Sequence, residues 1–336
     1  MSSSDLASFD ALISALAAAG EGTRLRLLSL LSEAELTVTE LVTILGQSQP
    51  RISRHLKLLV EAGLVDRHRE GSWVFFRMSQ NGPVAGLARD VVARLTPADP
   101  SLCADRARLK EVRQARAEQA ARYFAAHAAN WDELRAMHVA EERVESAILN
   151  AAGSGPFHAL LDLGTGTGRM LELLGPLASH AAGIDQSAHM LSIARARIER
   201  AGLRHVQLRQ GDIYALPAEA GFYDLAVMHQ VLHYLDDPQR AIREAARVLQ
   251  PGGRLLIVDF APHEEETLRT AHAHRRLGFA REEVAGFMAS AGLDLIAAEN
   301  LAPGAGEPGK LTVSLWLGRD RRAAADLQAF CTREFA

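Results

Sequence analysis

The feature that most restricts the fold is an alternation of short apolar runs with amphipathic helical segments in the C-terminal half of the chain. The runs are "ALLDLG", "AAGID", "VQLRQGD", "YDLAVMHQV" and "RLLIVDF". Strands that alternate with helices predict a parallel sheet with helices on both faces. Two later runs, "LDLIAAENLAP" and "KLTVSLWLGR", flank a Gly/Pro loop with no helix between them, which predicts a terminal antiparallel hairpin. The predicted fold is therefore α/β, with a mostly parallel seven-stranded sheet.

A glycine-rich loop, "LDLGTGTGR", follows the first of these strands and precedes a helix. Glycines at this position let the backbone approach a ligand at the carboxyl edge of the sheet. Asp162 stands two residues before the first glycine, Asp185 ends the second strand, and Asp212 ends the third. An acid at the end of the second strand can accept hydrogen bonds from both hydroxyls of a ribose. These positions predict a site for a nucleoside-type cofactor.

The GxGxG spacing, the three acids and the terminal hairpin together resemble the class I S-adenosylmethionine-dependent methyltransferases. The resemblance covers residues 122–319 and includes "DLAVMHQVLHYLDDPQRAIREAARVLQPGGRLLIVD". It implies a Rossmann-like fold that binds S-adenosylmethionine or its demethylated product, S-adenosylhomocysteine. The alternative is an NAD-binding domain, but this glycine spacing differs from that of a pyrophosphate loop.

The resemblance also implies a role for each matching residue. The glycine loop would pass under the methionine and ribose, and Asp162 would help to hold the methionine amino group. Asp185 would bind the ribose, and Asp212 would accept a hydrogen bond from the adenine amino group. The other implied cofactor contacts are Tyr123, Trp131, Gly164, Thr165, Gly166, Gly168, Gln186, Met190, Gly211, Ile213 and His229.

The candidate catalytic residues are His229 and His233, which follow the fourth strand. A sulfonium methyl group is already activated, so the protein mainly aligns the nucleophile and excludes water. A base is needed only if the nucleophile must lose a proton, and for each histidine a structural role is an equal alternative. A second segment, "AHAHRRLGF", carries histidines and arginines that suit an acidic substrate. The methyl acceptor itself is an unknown small molecule.

The N-terminal region predicts several helices followed by the hairpin "LVDRHREGSWVFFRMS". Its segment "ELTVTELVTILGQSQPRISRHLKLLVEAGLVDRHREGSWVFFRMS" resembles the ArsR/SmtB winged helix-turn-helix repressors. The resemblance covers residues 6–95 and implies a helix that enters the major groove and a hairpin wing that touches phosphates. The implied DNA contacts are Ser48, Gln49, Arg51, Ser53, Arg54, His55, Lys57, Arg67, Arg69 and Arg77. Between them, Ile52, Leu56, Leu58 and Leu59 are predicted to form a buried stripe. A protein-interaction module is the alternative to a DNA reader.

The metal input that such repressors often use is not expected here. Thr37 and Thr39 stand where those proteins carry cysteines, and threonine hydroxyls are poor ligands for soft metals. The later helix "PVAGLARDVVARL" has no His/Asp ligand pair, so no metal is predicted. The resemblance implies a homodimer formed through the terminal helices. The apolar faces of Leu12, Leu16 and residues 91–95 suit that role, although core packing would give the same pattern.

Three regions are predicted: a winged-helix DNA-binding and dimerisation domain in residues 1–95, a helical linker and cofactor lid in residues 96–149, and a methyltransferase domain in residues 150–336. The net charge of −4 means that DNA attraction must come from a local basic patch. The two cysteines, Cys103 and Cys331, lack metal or disulfide spacing. Without a signal-peptide pattern or a membrane-spanning run, the expected location is cytoplasmic, with no membrane partner.

Two functional hypotheses follow from these features. In the first, the chain is a homodimeric transcriptional regulator whose affinity for double-stranded operator DNA depends on S-adenosylmethionine or S-adenosylhomocysteine in the second domain. In the alternative, it is an active small-molecule methyltransferase, and the winged helix serves autoregulation or dimerisation. Reciprocal coupling between DNA and cofactor binding would distinguish the two.

Overall fold

The computed structural model describes residues 7–70, 73–79, 82–132, 141–304 and 309–322. Its internal contacts divide the chain into two units, Met1–Glu118 and Gln119–Ala336. Residues of the predicted linker are shared between the two units. Each unit is described by itself below.

Unit 1 contains a set of helices around a small antiparallel sheet. The strand order of that sheet is β1-β3-β2. The element bounds are α1 Phe9–Ala19, α2 Gly22–Glu33, β1 Leu36–Thr37, α3 Val38–Leu45, α4 Gln49–Glu61, β2 Val65–Glu70, β3 Trp73–Met78 and α5 Ala85–Ala93. Helix α6, Pro100–His127, begins in this unit and ends in the other. This order is that of a winged helix-turn-helix, as the sequence predicts.

The turn between α3 and α4 is set by local sequence. Thr37 caps α3 in a capping box, because its hydroxyl accepts from the Glu40 amide while the Glu40 carboxylate accepts from the Thr37 amide. Gly46 ends α3 with φ 65°, a left-handed conformation that favours glycine. In α4, Ile52, Leu56 and Leu59 are buried as predicted. The prediction that Leu58 is buried was wrong, because this side chain is 40% exposed.

The first part of α6 is held in unit 1 by ionic and polar contacts. Its Asp105 is buried and accepts two hydrogen bonds of 2.6 Å from the Arg26 guanidinium on α2. Arg108 of α6 donates to the Ile44 carbonyl oxygen at 3.0 Å. A bidentate Arg–carboxylate pair is geometrically specific, so it positions this part of α6 against α2.

Unit 2 contains a seven-stranded sheet with the order β6-β5-β4-β7-β8-β10-β9. Its element bounds are α7 Glu141–Ala152, β4 Phe157–Leu163, α8 Arg169–Leu174, β5 Ala178–Asp185, α9 Ala188–Arg200, β6 Val206–Gln210, β7 Tyr223–His229, α10 Pro238–Val248, β8 Leu249–Phe260, α11 Thr267–Ala271, α12 Arg281–Ser290, β9 Leu293–Leu301 and β10 Val313–Asp320. Strand β10 is antiparallel to both β8 and β9, whereas β4 to β8 pair in parallel. The predicted α/β fold with a terminal hairpin is confirmed.

The position of β4 explains where a ligand can bind. Strand β4 lies between β5 and β7, so the chain proceeds outward from it in both directions. In open α/β sheets this reversal leaves a crevice at the carboxyl ends of the strands. Two buried apolar clusters contain strand residues of the sheet, and both include residues of β4, such as Leu161 in one and Leu160 in the other. The loop after β4 is therefore carried by a strand with a core on each side.

Candidate functional site

The glycine loop after β4 adopts a conformation that side chains would disturb. Gly164, Gly166 and Gly168 have φ values of 70°, 52° and 84°. A Cβ atom at Gly164 would lie 2.6 Å from the Val231 Cγ2 atom, so this position has no room for a side chain. The Gly164 amide donates to the Ile184 carbonyl oxygen at 2.8 Å, which fastens the loop to the end of β5.

Asp185, the last residue of β5, connects this loop to the next one. Its carboxylate accepts from the Gly166 amide and from the Ser187 amide, each at 2.8 Å. Burial raises the pKa of Asp185, and the two amide hydrogen bonds oppose that shift. A carboxylate has about four lone-pair positions, so both oxygens can still accept hydroxyl donors. The geometry suits the predicted contact with a ribose.

Asp162 lies beneath the loop and stabilises it. Its side chain is 2% exposed and accepts from the Thr165 hydroxyl at 2.6 Å. The Thr165 side chain is also buried, so this hydrogen bond orders the first turn of the loop.

The loop after β6 carries the third predicted acid, Asp212. Asp212 lies two residues beyond the end of β6 rather than in the strand, as a small correction to the prediction. The exposed Gln186 amide donates to the Asp212 carboxylate at 3.2 Å, and the Gly211 amide donates to the Asp185 carbonyl oxygen at 3.0 Å. Ile213 is 7% exposed in the same loop. The loops that follow β5 and β6 are thus connected. Met190, which was predicted near the ribose, is buried in α9.

The segment that leads into unit 2 is fastened beside the glycine loop. The Trp131 Nε1 atom lies 3.8 Å from the position that a Cβ atom on Gly166 would take. The neighbouring Asp132 accepts from the Thr167 hydroxyl at 2.8 Å and pairs with the Arg197 guanidinium. Sequence reasoning missed Asp132, Thr167 and Arg197. The acid next to Trp131 in "WDELR" was the available signal, but its partners lie 35 and 65 residues away.

An aromatic layer continues from Trp131. Phe124 lies with ring centroids 5.4 Å from Trp131 and 4.8 Å from Tyr234. The Tyr123 hydroxyl lies 2.8 Å from the Nδ1 atom of His272, and burial raises the pKa of Tyr123 to about 12. Tyr123 and Trp131, both predicted cofactor contacts, therefore belong to one layer.

The two predicted catalytic histidines occupy different environments. His229 is the last residue of β7 and is half-buried. His233 follows in a short 3-10 turn, is 1% exposed, and places its Nδ1 atom 2.7 Å from the Asp259 carboxylate. Asp259 is fully buried near the end of β8 and was not predicted. The structure thus pairs His233 with a buried carboxylate near the end of the neighbouring strand.

The segment "AHAHRRLGF" does not present free positive charge. The Arg275 guanidinium lies 2.7 Å from the Asp236 carboxylate, and the Arg276 guanidinium lies 2.6 Å from the Glu283 carboxylate. Since each cation has its own acid, the predicted affinity of this segment for an acidic substrate loses its electrostatic basis.

In unit 1, one face of α4 carries exposed polar and basic residues. Ser48 is the N-cap of α4, and its hydroxyl makes no capping hydrogen bond. Lys57 is 75% exposed and lies 3.8 Å from Glu61 one helical turn away, a weak surface pair. The other predicted DNA contacts that are exposed on this helix are Gln49, Arg51, Ser53 and Arg54.

Two features of the predicted DNA surface differ from expectation. His55 is largely buried, with its Nδ1 atom 3.5 Å from the Glu21 carboxylate, and burial lowers its pKa. On the wing, Arg77 pairs across the strands with Asp66, at 3.6 Å. Since side chains alternate between the faces of a strand, Arg67 and Arg69 lie on the face opposite Arg77. The three wing arginines therefore do not form one cluster.

The described part of the chain contains no group of three His, Cys, Asp or Glu side chains that could hold a metal ion. None of its helices combines the length and apolar character needed to cross a membrane. Cys103 is an exposed free thiol, and Cys331 lies outside the described residues.

Two sequence families match separate parts of the chain. Residues 21–67 match the model of the bacterial regulatory protein, arsR family, and residues 161–257 match the model of a methyltransferase domain. The chain therefore carries an ArsR-family helix-turn-helix and a methyltransferase domain, in that order.

Individual relatives match one part or the other. The arsenical resistance operon repressor of Escherichia coli is 53% identical over 62 residues, which are 18% of this chain and 53% of the repressor. A demethylmenaquinone methyltransferase of Thermus thermophilus is 38% identical over 105 residues, which are 31% of this chain and 47% of that enzyme. The crystal structure of YcgJ from Bacillus subtilis aligns with a TM-score of 0.45 and 21% identity over 53% of this chain and 98% of that chain. The chain spans between 33% and 54% of the length of the curated relatives it matches.

Proposed function

We propose that this chain, in which an ArsR-family helix-turn-helix is joined to a methyltransferase domain, is a DNA-binding transcriptional regulator. Its C-terminal domain binds S-adenosylmethionine or S-adenosylhomocysteine as the effector. The observation that supports this most is the position of Asp185, which ends β5 and accepts from the Gly166 amide of the glycine loop. A cofactor that contacts both this acid and this loop would affect the loops after β4 and β5 at once.

The residues present fit such a cofactor. The Gly166 α-carbon is open on the side that a Cβ would occupy, with Trp131 as its nearest side chain at 3.8 Å. Asp185 would accept hydrogen bonds from the ribose hydroxyls, and Asp212 would accept one from the adenine amino group. Asp162 would support the loop beneath the methionine part. When bound, S-adenosylmethionine supplies a methyl group activated by its sulfonium.

The proposal also accounts for the absence of cysteines at the usual sensing position. The Thr37 hydroxyl accepts from the Glu40 amide at 3.4 Å and serves as a helix cap. A hydroxyl is a poor ligand for a soft metal, and this one already serves as the cap of α3. A signal must then enter elsewhere in the chain, and the cofactor site is the candidate.

Helix α6 is the proposed link between signal and response. Its Asp105 belongs to the contacts of unit 1, and its Tyr123 and Phe124 belong to the aromatic layer of unit 2. Because one helix contributes to both sets of contacts, a change in the aromatic layer on cofactor binding has a covalent route to the DNA-binding unit. Regulation requires the cofactor to bind two states of the protein with different affinity.

We also propose that the chain acts as a homodimer through α1. Phe9, Leu12, Ile13 and Leu16 of this helix are 79%, 40%, 51% and 46% exposed. Ala15 and Ala19 on the other side of the helix are buried in the core of unit 1. An apolar row of this kind is typical of a protein–protein contact. This proposal is contradicted if the unaltered protein sediments as a monomer in analytical ultracentrifugation and the double variant Leu12→Asp plus Leu16→Asp sediments in the same way.

A DNA-binding role fits the cytoplasmic location expected from the sequence.

The second candidate is an active small-molecule methyltransferase that carries the winged helix for autoregulation. The buried contact of His233 with Asp259 favours it, because a base is useful when a nucleophile must lose a proton. The demethylmenaquinone methyltransferase of Thermus thermophilus, one of the relatives named above, gives this proposal a precedent for turnover.

The first test is identification of what binds to unit 2. Mass spectrometry of the small molecules that co-purify, followed by calorimetric titration of the stripped protein with S-adenosylhomocysteine, reports directly on the site. We expect binding that adenine alone does not reproduce. No heat and no shift in melting temperature with either cofactor form would leave a repressor without an effector.

A further inference from the structure

We propose that His233 is the catalytic proton acceptor for a neutral aromatic compound that carries a hydroxyl group, and that Asp259 positions it. This inference rests on the proposed function, since it assigns the methyl acceptor to the same site. It departs from the acidic substrate that the sequence suggested. The observations that carry it are a buried histidine–carboxylate pair, two buried polar atoms that have no hydrogen-bond partner among the described residues, and an aromatic surrounding.

The pair has the geometry of a base and its orienting group. The His233 Nδ1 atom lies 2.7 Å from Asp259 Oδ1, and the His233 amide donates to Asp259 Oδ2 at 3.3 Å. Asp259 also accepts from the Phe260 amide at 2.8 Å. These donors fix the carboxylate, which then holds the imidazole with its proton on Nδ1 and leaves the Nε2 lone pair available. The carboxylate stabilises the positive charge that the ring acquires with a second proton.

The Nε2 atom of His233 is buried and has no hydrogen-bond partner within the described residues. A histidine that serves packing alone would leave this acceptor unsatisfied, which is unfavourable in a dry interior. A donor from a bound compound would satisfy it. Among groups that can accept a methyl group, hydroxyls, amines and thiols carry a proton that could be donated to this lone pair.

Gln230, three residues earlier on the same loop, has a buried donor where His233 has a buried acceptor. Its side chain is 6% exposed, and its Nε2 atom is also buried without a partner within the described residues. Its backbone has φ 58°, an uncommon conformation for a residue other than glycine, and such positions cluster at functional sites. Gln230 needs an acceptor and His233 needs a donor. A hydroxyl group both donates and accepts, so it offers what each of the two side chains needs.

The surroundings favour a neutral aromatic compound. The His233 ring lies 4.0 Å from Tyr234 and is stacked at 4.1 Å on His274, measured between ring centroids. Tyr234 in turn lies 6.2 Å from Trp131, which borders the glycine loop. The nearby arginines of residues 269–276 each have a carboxylate partner, at 3.7 Å for Arg269, 2.7 Å for Arg275 and 2.6 Å for Arg276. An anion would find no uncompensated charge in this set, whereas a planar ring can stack in the aromatic layer.

Access to Nε2 requires a contact to give way. The Tyr234 hydroxyl lies 3.4 Å from the His274 Nε2 atom, which is long for a hydrogen bond and therefore weak. Both rings pack against His233, so movement at this weak contact is the route by which the incoming ring reaches the pair. The same aromatic layer then excludes water from the reacting atoms.

The chemical step balances with the groups named. The acceptor's O–H bond breaks and its proton moves to His233 Nε2. The oxygen forms a bond to the methyl carbon while the bond between that carbon and sulfur breaks. The electron pair of the broken carbon–sulfur bond stays on sulfur. The products are the methyl ether, S-adenosylhomocysteine and an imidazolium that returns its proton to solvent.

The test uses the full-length protein saturated with S-adenosylhomocysteine and 4-nitrophenol as the probe. The ionised form of this phenol absorbs visible light, so its colour reports proton transfer without any methyl transfer. At a pH below the pKa of the free phenol, the bound probe is expected to be ionised. We expect its apparent pKa in the site to fall by about one unit or more, which is a tenfold change in the ionisation constant.

Two variants and one control separate catalysis from structure. His233→Asn keeps an amide near the position of Nδ1 and so keeps the contact with Asp259, while His233→Gln places an amide near the position of Nε2. Both are expected to bind the phenol in its neutral form. His205→Gln is the control, because His205 is a partly buried histidine of the same unit whose Nε2 contacts the Gly175 carbonyl oxygen at 2.9 Å. It should behave as the unaltered protein does.

Each outcome decides the inference. A phenol that binds but stays neutral in the unaltered protein overturns the base assignment, as does an ionised phenol in both His233 variants. No binding of the phenol at all overturns the acceptor class. Calorimetry with S-adenosylhomocysteine alone reports separately on the proposed function, so normal cofactor affinity with a failed phenol test rejects this inference only.

Discussion

The exposed face of α4 and the glycine loop after β4 differ in how much each depends on distant parts of the chain. On α4, the side chains of Arg51 and Arg54 extend from a helix whose opposite stripe is buried, and the sequence pattern shows both faces. The glycine loop is held by Asp185 and Ile184 from the next strand and by Asp132 through Thr167. Substitutions on α4 should therefore remove single contacts, whereas substitutions around the loop should change several contacts together.

The largest expected effect is that of Asp185→Ala. The substitution removes the acceptor of the Gly166 and Ser187 amides and the proposed ribose contact. Hydrogen bonds to a charged group contribute about 1.5–3 kcal/mol each, so we expect affinity for S-adenosylhomocysteine to fall at least about 100-fold by calorimetry. Asp185→Asn, which keeps one acceptor oxygen, should lose less. Equal affinity of all three proteins would show that the cofactor does not contact this carboxyl.

The next effect concerns DNA. Arg54→Ala should weaken binding to a duplex that the protein enriches from a random pool, at a cost of about 1–3 kcal/mol. Addition of Arg51→Ala should also reduce the dependence of the affinity on salt, because fewer phosphate charges are neutralised. Lys110→Ala is the control, as an exposed cation on α6. If the double variant and the unaltered protein retard the duplex equally in gel-shift assays, α4 is not the DNA-binding element.

A smaller effect is expected for Asp132, which the sequence did not reveal. Asp132→Asn weakens the contacts with the Thr167 hydroxyl and the Arg197 guanidinium that keep Trp131 beside the loop. We expect about a tenfold loss of cofactor affinity, close to one hydrogen bond with a charged partner. Glu199→Gln, on the same helix as Arg197, serves as the control. An unchanged affinity in Asp132→Asn would mean that the lead-in segment does not shape the site.

The smallest effect is expected for His55. Burial lowers its pKa, so the side chain is neutral at neutral pH and adds no charge to the DNA surface. His55→Gln should change DNA affinity less than about threefold, well below the effect of Arg54→Ala. A histidine with a lowered folded-state pKa costs no stability above its unfolded pKa, and stability is lost as the pH falls below that value. His55→Gln should therefore move the midpoint of acid unfolding, measured by circular dichroism, to lower pH. A large loss of DNA binding at neutral pH would contradict this account.

Local sequence patterns predict part of the fold and of the site, and the contacts between distant residues lie beyond them. Strand and helix order, the glycine loop and the acids at 162, 185 and 212 follow from local patterns of periodicity and turn chemistry. The pairing of His233 with Asp259, 26 residues apart, and of Tyr123 with His272, 149 residues apart, depends on the folded chain alone. Exposure errors at Leu58 and His55 have a related cause, since helical periodicity does not show which neighbour covers a side chain at the edge of the buried stripe.

The central claim is that cofactor and DNA binding are coupled in one chain. The most direct measurement is a calorimetric cycle in which S-adenosylhomocysteine is titrated into the full-length protein with and without its enriched duplex, and the duplex is titrated with and without the cofactor. Coupled sites must change each other's affinity by the same factor, and we expect about fivefold or more in both directions. Identical affinities in both arms would contradict regulation by the cofactor and leave a methyltransferase that carries an independent DNA-binding domain.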